Sequence, residues 1–168
     1  KETEEEATTK TENYFNEKVG ERNGTAKIRL THREKKLTGR GVLDIYTKGG
    51  KKRFIGNTVI HNEKFNETYV GFENHSGRTY IGSLEPLGKV VEGYGNNGED
   101  GYEGCIYKNC FGTYFHGSLL SKNPELADRF IKIALSRKYN KKIELEPIDN
   151  SLEMHAKEFI IKRESLKK

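Results

Sequence analysis

The chain is 168 residues long, one third hydrophobic and one third charged, with a formal net charge of +5. That length fits a single domain with one core. No apolar stretch approaches the roughly 18–20 residues that a membrane span needs, and no basic segment followed by an apolar one marks the chain for export.

The charge is uneven. Residues 1–18 hold six Glu against three Lys, a balance of −3 that leaves +8 to the remainder. Residues 1–38 therefore read as an acidic and polar lead-in, poorly ordered or atypical, with one short candidate strand around Ile28–Leu30. Residues 39–168 carry the domain. From Gly41 onward, "GVLDIYT", "KRFIGNTVI", "ETYVGFENH", "RTYIGSL" and "KVVEGYG" are short runs of β-branched and aromatic residues divided by Gly, Asn and Lys clusters. They predict hairpins or a meander. "YEGCIY", "KN" and "CFGTYFHG" predict a further hairpin turning at Lys108 and Asn109.

Two helices follow. Asn123 is placed to cap the first and Pro124 suits its first turn, while Leu126, Phe130, Ile133 and Ala134 form a stripe predicted to pack on the sheet as far as about Arg137. The second begins near Asn150, with Glu153 at capping-box spacing and an expected apolar face of Leu152, Ala156, Phe159 and Ile160. The basic "IKRESLKK" end complements a helix C-terminus.

The strongest chemical candidate is His116. It ends what reads as a central strand, before a loop that leads into a helix, where open α/β sheets place their chemistry. A histidine there could take a proton from a thiol or give one to a leaving amine. Of the two cysteines, Cys110 lies six residues away on the same run, a separation of roughly 20 Å along an extended strand. Cys105 should pair opposite Gly112. Neither geometry supports proton transfer, and both thiols read as small buried hydrophobes in a reducing cytoplasm. The five histidines lack zinc-ligand spacing, "GYGNNGEDGYEG" reads as a turn-rich loop with no phosphate-binding signature, and no RNA-binding pattern is present. Arg53, in "KKRFIG", could clamp a carboxylate with two parallel hydrogen bonds.

The ordered motifs "GFENHSGRT", "GYGNNGEDGYEG" and "GTYFHGSLLSKNPELAD", with "GVLDIYT" and "KKRFIGN" before them, resemble the C-terminal half of GatD-type subunits. These are the glutaminase subunits of lipid II isoglutaminyl synthase, within the class I, CobB/CobQ-like glutamine amidotransferases. The resemblance implies an α/β fold, part of a flavodoxin-like sheet that is hairpin-rich here and closed by two C-terminal helices. It also implies hydrolysis of L-glutamine to supply ammonia to a MurT-type ligase. That partner would use ATP and Mg to amidate the D-glutamate of the lipid II stem peptide, in peptidoglycan biosynthesis. No cofactor is expected in this chain. By position His116 matches the catalytic histidine, and Arg53 matches the arginine that contacts glutamine.

Two departures stand out. The family nucleophile sits in a "CGG-Q-LG" elbow ahead of the "G-LD" stretch, whereas "VGERNGTAKIRL" holds no cysteine. Ser118 stands where the family usually has Pro. The chain as given is therefore expected to be inactive alone. The alternatives are a non-catalytic scaffold that keeps the ligase-docking surface, and a basic β-rich module binding an anionic polymer.

Overall fold

The structure, a computed structural model, describes residues 29–32, 35–38 and 43–166. Most of the acidic lead-in, residues 1–28, lies outside them. Nine strands lie among the described residues: β1 Arg29–His32, β2 Lys35–Thr38, β3 Tyr46–Asn62, β4 Glu67–Tyr80, β5 Gly88–Glu92, β6 Tyr102–Glu103, β7 Cys105–Tyr107, β8 Cys110–Gly112 and β9 Phe115–His116. A 3-10 turn, Leu120–Lys122, leads into helix α1, Pro124–Tyr139, and helix α2 spans Ser151–Ser165. The main sheet runs β2-β1-β3-β4-β9, with β5 beside β3 and β6 beside β5. Its pairs are antiparallel except β1 with β3. The molecule is thus a mixed α/β fold with a mostly antiparallel sheet and two C-terminal helices.

The long β3–β4 hairpin is the frame. Four of the short runs in the sequence fuse into these two strands, because the residues that look like breaks face each other: Gly49 pairs with Gly77, and the register then shifts before Phe54 meets His75. Alternation along β4 buries Tyr69, Gly71, Glu73 and His75 and exposes Phe72 and Asn74, the period of two that a half-covered sheet requires. On the buried face, Ile60, Tyr69, Leu87, Ile106, Phe115 and Leu126 form the main core. Burying such side chains stabilises the fold by roughly 1.5–3 kcal/mol each. Gly71 is obligatory for this packing, since a Cβ there would lie 2.2 Å from Cγ of Phe115. A smaller cluster joins Leu43, Ile81 and Cys105.

The Lys108–Asn109 turn forms as predicted, with Cys105 opposite Gly112 and Lys108 at φ 55°. "CFGTYFHG" nevertheless does not form one strand. It divides into β8, which among the described residues pairs only with β7, and β9, which joins β4 at the end of the main sheet. His116 therefore stands on an edge strand among the described residues, where a central one was expected.

Both helices form near their predicted limits, with different contacts. Asn123 does not cap α1 with its side chain. Fully buried, it brackets β4 instead, accepting the Val70 N–H at 2.8 Å and donating to the carbonyls of Val70 at 2.8 Å and Leu119 at 2.7 Å. Leu126 and Phe130 join the core as expected, while Ala134 is exposed. The reversal at α2 is larger. Leu152 and Phe159, expected inside, are 76% and 61% exposed, whereas Lys157 and Glu164 are buried. Two polar anchors explain this orientation: Lys157 pairs with Glu125 of α1, and Glu164 accepts Asn57 Nδ2–H of β3 at 2.7 Å. The N-terminus of α2 is served by Asp149, whose Oδ1 accepts the Ser151 N–H at 2.9 Å, and not by Asn150.

Candidate active site

The "GFENHSGR" segment lies on β4, and its inward residues build a buried polar layer. Glu73 is fully buried. Its carboxylate accepts the N–H groups of Tyr94 at 2.7 Å and Gly95 at 3.2 Å, and lies 3.3 Å from Nε2 of His75. Gly93 permits this approach: at φ +105°, it would place a Cβ 2.9 Å from Oε1 of Glu73 and 2.6 Å from Oγ1 of Thr58. A side chain there would evict the carboxylate from the loop it holds. His75 Nδ1 bonds the carbonyl of Gly77 at 2.8 Å, and its ring stacks on Tyr114 with centroids 3.6 Å apart. The Tyr114 hydroxyl continues the chain through Thr79 at 2.5 Å to Thr47 at 2.7 Å.

The glycine-rich segment is a loop, as read from the sequence, and asparagines fix it. Asn97 accepts the N–H groups of Glu99 at 2.8 Å and Asp100 at 3.0 Å and donates to the Thr79 carbonyl at 3.1 Å. Asn96 exchanges two hydrogen bonds with the backbone of Gly104. Such Asx contacts supply a loop with the partners that a strand would otherwise give.

A second carboxylate, Glu103, is also fully buried and carries the chain toward His116. It accepts the Tyr114 N–H at 2.6 Å and the Thr113 hydroxyl at 2.9 and 3.1 Å. Burial pushes its carboxyl up to about 7, helped by the charge of Glu73, while the bonds from Tyr114 and Thr113 oppose the rise.

His116 pairs in register with Phe72, which pairs with Asn57 of β3. Cross-strand partners point to the same face, so Asn57, Phe72 and His116 form a row on the face away from Glu73. His116 is exposed. Arg53 is exposed too, at the end of the irregular stretch between Gly49 and Phe54. It lies four residues along β3 from Asn57, which with two interstrand spacings puts the Cα atoms of Arg53 and His116 about 16 Å apart. Among the described residues neither side chain has a hydrogen-bond or ion-pair partner. They do not touch each other.

Cys105 is buried, as expected, and burial pushes its thiol up. Cys110 is exposed beside the hairpin turn, contrary to expectation. No group of metal-ligating side chains occurs among the described residues. A cavity of about 610 Å³ opens elsewhere, against α1 and the β7–β8 hairpin, with Phe65, Phe111, Lys132 and Met154 in its wall; His116 and Arg53 do not line it.

Glu73 and Glu103 are the residues that the sequence reading left unassigned. Each acid directly follows an aromatic residue, Phe72 or Tyr102, at the inward parity of a strand, and that was the available signal.

The profile of the CobB/CobQ-like glutamine amidotransferase domain matches residues 17–124. The chain belongs to that family. It is 50% identical over 120 residues to the lipid II isoglutaminyl synthase (glutamine-hydrolyzing) subunit GatD of Streptococcus pneumoniae, covering 70% of this chain and 46% of that protein. Against GatD of Staphylococcus aureus it is 47% identical over 134 residues, 79% of this chain and 53% of the relative. A probable cobyric acid synthase of Methanothermobacter thermautotrophicus is 37% identical over 84 residues, half of this chain and 16% of that protein. The chain thus spans about half the length of the GatD relatives it matches. The matched span contains Glu73, the glycine-rich loop, Arg53 and His116.

Proposed function

We propose that this chain is the glutamine-handling C-terminal portion of a GatD-type amidotransferase subunit, with Arg53 as the carboxylate clamp and His116 as the base. The observation that carries the reading is the 50% identity to the Streptococcus pneumoniae subunit over 120 residues. Physically, the placement suits an amino acid. A guanidinium pairs with the α-carboxylate of an amino acid through two parallel hydrogen bonds, and an imidazole exchanges the proton of the thiol that attacks its side-chain amide.

In the reaction, His116 takes the proton of a cysteine thiol, and the thiolate attacks the side-chain carbonyl carbon of L-glutamine. The tetrahedral intermediate collapses as its C–N bond breaks and the imidazolium returns the proton to the leaving nitrogen, releasing ammonia and leaving a thioester. Water then cleaves the thioester to glutamate and regenerates the thiol. Arg53 holds the α-carboxylate through both steps. The ammonia passes to a MurT-type ligase, which supplies ATP and Mg and amidates lipid II in the cytoplasm. A flavodoxin-like sheet completed around the parallel β1–β3 pair belongs to this proposal.

A second reading, a docking subunit without turnover, is favoured by one observation: Cys105 is sealed in a core cluster and Cys110 sits beside a distant turn. Ammonia release from glutamine decides between the readings. The purified chain is expected to release none by itself and to co-purify with the ligase. Turnover abolished by His116→Ala would show that a nucleophile is present after all, and failure to bind the ligase would contradict both readings.

A further inference from the structure

Arg53 is unusual in being an unpartnered arginine whose two sequence neighbours are both held firmly. Between the Gly49–Gly77 pair and the Phe54–His75 pair, β3 advances five residues while β4 advances two, so three extra residues of β3 bulge out of the ladder. Bulges re-aim side chains, but an unbraced one leaves its residues free to reorient. The brace here is Arg78. Its Nη2–H donates to the carbonyl of Lys52 at 2.6 Å, and its Nη1–H groups reach the carbonyls of Ser76 and Gly77 at 3.2 Å. Its guanidinium carbon lies 3.3 Å from the centroid of the Phe54 ring. The Phe54 ring also stacks with Tyr94, centroids 4.2 Å apart and planes within 7°. Tyr94 is in turn pinned through its N–H by Glu73. The bulge even makes room for the brace, since a Cβ at Gly50 would fall 2.9 Å from the Arg78 guanidinium carbon.

We propose that Arg78 is a positioning residue for Arg53: by gripping the Lys52 carbonyl and the Phe54 ring, it fixes the direction in which Arg53 presents its guanidinium to a ligand carboxylate. This rests on the assignment of Arg53 as the glutamine clamp. The task requires arginine, because only a planar fork both stacks on a ring and serves several carbonyls at once; a lysine ammonium keeps the charge and loses both. The arrangement removes the backbone share of the ordering cost of binding, while the Arg53 side chain itself orders on the ligand.

The test titrates L-glutamine into the ¹⁵N-labelled chain and follows amide exchange at Lys52, Arg53 and Phe54 in the same samples. Arg78→Lys is expected to weaken glutamine binding by about fivefold to tenfold, the loss of one preorganised side chain, and to speed exchange at the Arg53 amide. Ile81→Val, a core change remote from the bulge that lowers stability, should leave both readouts at wild-type values. If Arg78→Lys fails to fold, Arg78→Met, which keeps an unbranched side chain and removes the guanidinium, replaces it with the same expectation. Unchanged affinity in a folded Arg78 variant, while Arg53→Ala abolishes binding, would overturn the role of Arg78 and leave the clamp standing. Wild-type binding indifferent to Arg53→Ala would overturn the clamp itself, and this role with it.

Discussion

Glu103 accepts the backbone N–H of Tyr114 at 2.6 Å, so a buried carboxylate holds the chain two residues before His116. Its carboxyl is raised to about 7 from an ordinary 4.5, chiefly by burial. Between those two values the folded chain keeps a proton that the unfolded chain has released. The contribution of this group to stability is therefore full below pH 4.5, falls as pH rises to about 7, and is flat above. The drop from this group is on the order of 3 kcal/mol. Urea denaturation across pH 4.5–8 should reveal it, and Glu103→Gln should flatten the slope.

Glu73 gathers Tyr94, Gly95 and His75 around one carboxylate. Glu73→Ala leaves two loop amides without their acceptor in a buried layer, at a cost of about 3 kcal/mol. The loss should appear as a lower urea midpoint, with faster hydrogen exchange at the amides of Tyr94 and Gly95.

The two cysteines should separate chemically. Cys110 is exposed, whereas Cys105 is buried with its thiol pushed up. A thiol reagent at neutral pH is expected to label one equivalent quickly and the second only in denaturant, since reaction requires an accessible thiolate. Labelling of both at equal rates in the native state would contradict the packing of Cys105 against Leu43 and Ile81.

Helix α2 offers a contrast between pattern and placement. Phe159→Ser, on the exposed side, should change stability by no more than about 0.5 kcal/mol. Lys157→Ala removes a buried cation from the Glu125 carboxylate and should cost about 3 kcal/mol. Thermal denaturation of the two variants checks the ordering.

Much of this was legible in the sequence. The period-two runs gave the strands, Lys108–Asn109 gave the hairpin and its Cys105–Gly112 register, and the apolar spacing after Pro124 gave α1. The errors share a cause. A local pattern does not reveal what lies opposite, so Gly49 and Gly77 read as two separate ends when they are partners in one interrupted ladder. Likewise, the apolar spacing of α2 gave the helix without its orientation, because the deciding contacts come from Asn57 and Glu125, 107 and 32 residues distant from their partners. The family motifs led to His116 and Arg53, while the acids that support the surrounding loops emerged only once burial was known.

The central claim is that one glutamine molecule engages both Arg53 and His116. Titrating L-glutamine into the chain while recording the Arg53 guanidinium and His116 imidazole resonances tests it most directly. Both signals are expected to shift along a single saturation curve. Movement of one without the other, or of neither at saturating glutamine, would contradict the account.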